Sequence, residues 1–144
     1  MTESMAIEVS GQIDAKLGDV WALVGEFDAI TRWNSEAIAV TVKGSGVGAE
    51  RSVSATDGGV TVERIEYLDP PNFIRYSVVA TEPSKPIVGV TAAIRLSAVD
   101  ATHTNIVWRT EFPAGLNVSQ SLADAIRSSL GTRIDLLRSS AGRV

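Results

Sequence analysis

Between Asn117 and Ser140, Leu122, Ile126, Leu130, Ile134 and Leu137 recur at steps of four and three residues, which puts them on one stripe of an α-helix. Asn117 with Gln120 three residues later approximates a capping box, and about 22 helical residues would extend about 33 Å. Gly131 inside this segment costs about 1 kcal/mol relative to alanine and marks a bend or a close contact. Most of the chain before it alternates with period two. A long amphipathic helix that follows a run of strands must bury its stripe on their sheet, because neither element can hide its apolar side alone.

The strands can be followed in order. Met5, Ile7, Val9 and Ile13 oppose Glu8, Ser10 and Gln12, the pattern of a half-buried strand. Asp14 is placed to cap a short helix in which Val20, Trp21, Leu23, Val24 and Phe27 recur at helical spacing, and a second small helix runs through Trp33. Strands are then predicted over 36–43, 50–56, 60–68, 73–81, 88–97 and 106–112. The Asp57-Gly58-Gly59 segment joins two of them as a hairpin. Asp69-Pro70-Pro71-Asn72 breaks the ladder again, since prolines cannot donate to it. Ile74, Tyr76, Val78 and Ala80 share a face, and the cleanest alternation is Val88, Val90, Ala92, Ile94 and Leu96. The sum is one strand, two short helices, six antiparallel strands and a long helix in a single domain over 1–144: an α+β chain.

Composition removes several functions. A chain of 144 residues can bury a core with room for a cavity. No apolar run approaches the roughly 18 residues needed to span a bilayer, so membrane insertion is not expected. The N-terminus lacks the basic and apolar regions of a secretory signal and the sequence has no cysteine, which makes the cytoplasm the expected location. With a net charge of −4 and no clustering of Lys or Arg, nucleic acid is not an expected partner. The single histidine, His103, lies in a turn and is expected to be exposed and inert; it completes neither a transition-metal site nor a nucleophilic triad. Gly44, Gly46 and Gly48 precede a strand, so no helix N-terminus faces a phosphate there. No cofactor is implied. The oligomeric state stays open.

The segment Ile13-x-Ala15 followed by Val20-Trp21-x-Leu23-x-x-x-Phe27 and Trp33 resembles the START-like, or helix-grip, superfamily, which includes polyketide cyclase/dehydrase and lipid-transport proteins. The likeness continues through Gly48-Ala49-Glu50-Arg51, Val62-Glu63-Arg64-Ile65, Asn105-Ile106-Val107-Trp108 and Leu122-Ala123-Asp124-Ala125-Ile126, and covers essentially the whole chain. It implies a curved antiparallel sheet of about seven strands that wraps the C-terminal helix and leaves a cavity for a small apolar ligand. The Pro83–Ile87 segment resembles the gate over that cavity. Relatives often carry a polar pair such as Asn-Tyr where this chain has Gly89-Val90, so that contact to ligand is lost and a more apolar ligand is implied.

Within such a cavity the concave-side residues are Val53, Ala55, Tyr76, Val78, Val90, Ala92, Ile106, Trp108 and Thr110, several of them small, facing Leu122, Ile126 and Leu130 of the helix. Tyr76 and Trp108 can stack on a ligand or pack as core, and Trp33 is placed to cap the mouth. Glu63 is the one candidate acid/base group. A three-residue Asp57–Gly59 loop sets Val53 opposite Glu63, with Arg51 diagonal to it, and turns the carboxylate inward beside its natural partner. A two-residue Gly58-Gly59 turn instead puts Val62, Arg64 and Glu66 inside and leaves Glu63 on the surface. Two functions follow from the resemblance: binding or transport of a lipid, polyketide or aromatic metabolite, or a cyclase/dehydrase in which Glu63 moves a proton. With one acid/base candidate, binding is favoured.

Overall fold

The computed structural model describes residues 5–141. The elements are β1 (Ala6–Ile13), α1 (Leu17–Val24), a 3₁₀ turn (Phe27–Ala29), α2 (Ile30–Trp33), β2 (Ala37–Lys43), β3 (Glu50–Ala55), β4 (Val60–Asp69), β5 (Phe73–Glu82), β6 (Thr91–Asp100), β7 (His103–Glu111) and α3 (Gln120–Ala141). The strands form one antiparallel seven-stranded sheet in the order β1-β7-β6-β5-β4-β3-β2. This is the helix-grip arrangement: a curved sheet, two short helices after the first strand and a long closing helix.

Opposed residues of antiparallel strands point to the same face, so the register defines the inner surface. Val9, Trp108 and Ile94 form one inward row, and Ile7, Thr110, Ala92 and Tyr76 the next. The dense core lies under β1, β5, β6 and β7, where Ile7, Ile13, Ile74, Ile94, Leu96, Ile106 and Trp108 are essentially solvent-free. The helix packs chiefly along β1 and against α1 and α2. Arg138 reinforces that seam by donating from Nε to the Gln12 carbonyl at 2.9 Å.

Several local expectations are corrected. Ser119, rather than Asn117, caps α3: its hydroxyl accepts the Leu122 N–H at 3.1 Å, and the helix starts at Gln120. The buried face is Ala123, Leu130, Ile134, Leu137 and Ala141, so the stripe is rotated and Leu122 is 42% exposed. A Cβ at Gly131 would meet no neighbour, which removes the close contact expected there, and the helix runs through it unbroken. Asp14 does not cap α1; Lys16 occupies the N-cap and its side chain makes no capping bond. Strand β6 begins at Thr91, because Gly89 at φ +93° turns the chain and leaves Val88 49% exposed. A register shift between Val62 and Glu63 sets Ala80 opposite Val62 and outside, apart from Ile74, Tyr76 and Val78.

Candidate functional site

The β3–β4 hairpin decides which residues face inward. Ala55 N–H donates to the Gly59 carbonyl at 2.8 Å and Gly58 N–H to the Ala55 carbonyl at 3.0 Å, enclosing Thr56, Asp57 and Gly58, with Gly58 at φ +87°. The loop is three residues long but begins one residue earlier than the Asp57–Gly59 reading. Val53 therefore opposes Thr61, and Arg51 is directly opposite Glu63 rather than diagonal. The difference moves the pairing by two residues, so the faces are preserved and Glu63 points inward.

Arg51 is buried, 4% exposed, and held on all sides. Its Nε donates to Glu63 Oε1 at 2.7 Å and its Nη1 to the Phe27 carbonyl at 3.2 Å. The guanidinium lies 4.1 Å from the Phe27 ring centroid and 5.0 Å from that of Tyr76. The two rings meet edge to face at 5.8 Å. The 3₁₀ turn thus exists in part to bring Phe27 over this pair. Burial pushes the Tyr76 phenol above its ordinary value of 10, the Glu63 charge adds to the rise, and Arg51 and Arg133 oppose it. The hydroxyl is a neutral group at physiological pH.

A second cluster lies further along the inner face. Trp108 is fully buried, and Trp33 packs edge to face on it at 5.9 Å. Trp33 is itself buried and donates its indole N–H to the Leu23 carbonyl at 3.0 Å, so it supports Trp108 from beneath rather than capping a mouth. Among the described residues the Trp108 indole nitrogen is the one buried side-chain polar atom without a hydrogen-bond partner. The Arg133 guanidinium, reaching in from α3, lies 5.8 Å from its ring centroid. Sequence reading missed Arg133. Its signal was its position three residues after Leu130 and four before Leu137, on the buried side of the helix.

The remaining candidates divide by burial. Val53, Glu63, Val78, Val90, Ala92 and Ile126 are half-buried and inward, an apolar surface that α3 does not cover fully. Ile106 and Leu130 are buried in the packed core. Leu122 stands at the exposed edge, and Val88 and the Pro83–Pro86 stretch are exposed beside Val90. Grooves of about 280, 310 and 300 Å³ open on other surfaces: two on the outer face around Phe73, Arg75 and Arg95, and one between Trp21 and the Gly44–Gly46 turn. None of them gathers buried polar groups, whereas the inner face holds Arg51, Glu63 and Tyr76 in one cluster and Trp108 in a second. The inner face is therefore the candidate site.

His103 lies at the β6–β7 turn as expected and pairs locally there. Its Nδ1 lies 2.8 Å from Asp100 Oδ1 and 2.9 Å from the Thr102 hydroxyl, and its Nε2 is 3.6 Å from Asp14. The hydrogen bond to Asp100 raises the imidazole above its ordinary 6.5, while bonds from the Thr102 backbone and from His103 bring Asp100 down from 3.8 to about 2. This cluster sits in the β6–β7 turn, away from the inner site. Among the described residues no group of three or more His, Cys, Asp or Glu side chains is arranged to hold a metal ion. No helix there is long and apolar enough to cross a membrane.

Comparison with known proteins agrees with this geometry. The family model described as "Polyketide cyclase / dehydrase and lipid transport" matches residues 4–141. Among solved structures, a protein from Thermobifida fusca is 28% identical with a TM-score of 0.74, the match covering 96% of this chain and 93% of that one. A protein from Bacillus thuringiensis gives a TM-score of 0.79 at 16% identity, over 95% and 98% of the two chains. Ara h 8.0201 gives 0.78 at 14% identity, over 96% and 98%. No curated protein matches the chain significantly.

Proposed function

The chain belongs to the polyketide cyclase/dehydrase and lipid-transport family, and on that premise we propose that it binds a small, largely hydrophobic ligand between the inner face of the sheet and α3. The observation that carries this reading is the half-buried apolar surface of Val53, Val78, Val90, Ala92 and Ile126, left open beside a buried polar set. A closed core would have covered it, since contiguous apolar surface left partly wet is unfavourable unless something occupies it. Small residues at the centre support the same reading: Ala92 lies between Tyr76 and Thr110 on the inner face and fills little of the space in front of it.

The enzyme alternative rests on Glu63 facing inward. Its Oε1 is engaged by Arg51 at 2.7 Å, and Arg51 is in turn locked to Phe27. A carboxylate held this firmly orders the site more readily than it shuttles a proton, and binding remains the favoured reading. Glu63→Gln separates the two: a binding protein keeps its ligand and has no turnover to lose, whereas a cyclase keeps affinity within a few-fold and stops turning over.

Native mass spectrometry of protein isolated from its own host should show an apolar adduct that Ala92→Trp removes while the melting temperature stays close to wild type. An unliganded mass that persists after exposure to lipid and polyketide extracts would sink the proposal.

A further inference from the structure

The polar groups on the inner face do not balance in charge. Arg51 and Glu63 neutralise each other at 2.7 Å. Arg133 has no such partner: among the described residues no carboxylate is within ion-pair distance of it, which is true also of Arg32, Arg75 and Arg95, but those three are exposed. It is half-buried, and beneath it lies a tryptophan whose indole N–H is buried and unpartnered. Leaving a buried donor unmade is costly, and leaving it beside an unpaired cation is doubly unusual. The indole and guanidinium can only donate, so what fits there is an acceptor bearing negative charge.

We infer that the ligand carries a singly charged oxyanion, a carboxylate in the simplest case, held by Arg133 and the Trp108 indole N–H, with its apolar body toward Val78, Val90 and Ala92. This rests on the reading of the inner face as a ligand site. One free cation matches one negative charge, which favours a monoanion over a phosphate dianion. The half-exposed Arg133 stem lets the head group enter last, after the apolar body has displaced water from the cleft.

The test compares decanoate, decanol and decyltrimethylammonium by calorimetric titration at pH 7. Decanoate is expected to bind about tenfold more tightly than decanol, as a hydrogen-bonded charge pair predicts, and the cation weakest. Arg133→Met should bring decanoate to the level of decanol while decanol is unchanged, and Arg133→Lys should keep most of the preference. In wild type, decanoate but not decanol should move the ¹H–¹⁵N signal of the Trp108 indole, assigned by its loss in Trp108→Phe; this reading does not depend on an Arg133 variant folding. Equal affinity for decanoate and decanol, or a preference that survives in Arg133→Met, overturns the inference and leaves the apolar site standing. Failure of all probes to bind, decanol included, overturns the proposed function and this inference together.

Discussion

Arg51 shows how one side chain can hold a site together. Its guanidinium satisfies a carboxylate from the neighbouring strand and a backbone carbonyl from the 3₁₀ turn, and fills the space between two aromatic rings. Replacing it with methionine keeps much of the volume but leaves Glu63, whose side chain is 15% exposed, without its partner. Breaking a buried pair from one side typically costs about 3 kcal/mol or more, mostly from the stranded charge. Arg51→Met is therefore expected to lower unfolding stability by about that amount in urea titration, and adding Glu63→Gln should restore part of it. If the double variant is no more stable than the single, the stranded charge is not the cause. The inward face of Glu63 was legible from parity with Thr61 and Ile65, but the loop that fixes register was not, because Thr56-Asp57-Gly58 and Asp57-Gly58-Gly59 both end in a glycine. The inside was recovered because those two readings differ by an even number of residues. Arg133 went unread because a lone arginine in a helix is ordinarily solvated; the orphan indole that gives it meaning is a property of packing.

At the scale of elements, most of the strands and the long helix announced themselves by their period, while the ends were set by groups outside any periodicity. The cap of α3 moved from Asn117 to Ser119 because the hydroxyl of Ser119 reaches the Leu122 N–H. Strand β6 lost Val88 to the turn at Gly89. Two of the helical-region glycines, Gly131 and Gly25, make opposite predictions. A Cβ at Gly131 meets nothing, so Gly131→Ala should stabilise the protein by about 0.5–1 kcal/mol through helix propensity and a stiffer unfolded chain. A Cβ at Gly25 would lie 2.1 Å from the Trp21 indole, so Gly25→Ala should destabilise by about 1–3 kcal/mol as the ring is forced aside. Thermal unfolding of both reads the signs directly. The β6–β7 turn carries a pH signature. His103 is raised, so its contribution is complete below 6.5 and fades as pH rises through the higher folded value. Asp100, lowered to about 2, contributes above 3.8 and loses that contribution as pH falls toward 2. Between those limits the turn is most favourable. NMR titration should put the His103 midpoint above 6.5, and Asp100→Asn should return it toward that value; a midpoint that ignores the substitution would refute the pairing.

The whole molecule is unevenly consolidated. One side of the sheet, β1 with β5, β6 and β7, is sealed by solvent-free Ile, Leu and Trp side chains and by the C-terminal part of α3, pinned to Gln12 through Arg138. The other side, β3 and β4 with the neighbouring half of β5, leaves Val53, Glu63 and Val78 half-buried on the inner face. The N-terminal turns of α3 share that looseness, with Leu122 exposed and Ile126 half-buried, whereas Leu130, Ile134, Leu137 and Ala141 are buried. Local opening free energy follows burial and packing, so the two halves of the helix should exchange their amide hydrogens at different rates. In the free protein, amides of residues 123–127 are expected to exchange at least tenfold faster than those of residues 133–138, a ratio that corresponds to about 1.4 kcal/mol of opening free energy. A ligand seated against Ile126 with its head group at Arg133 would bury the loose half most, so decanoate should slow exchange more in residues 123–127 and in β3 to β5 than in residues 134–138, where only the turn beside Arg133 is touched. Uniform slowing across both halves would mean that ligand stabilises the protein only against global unfolding, and the cleft would then not be the place where it binds.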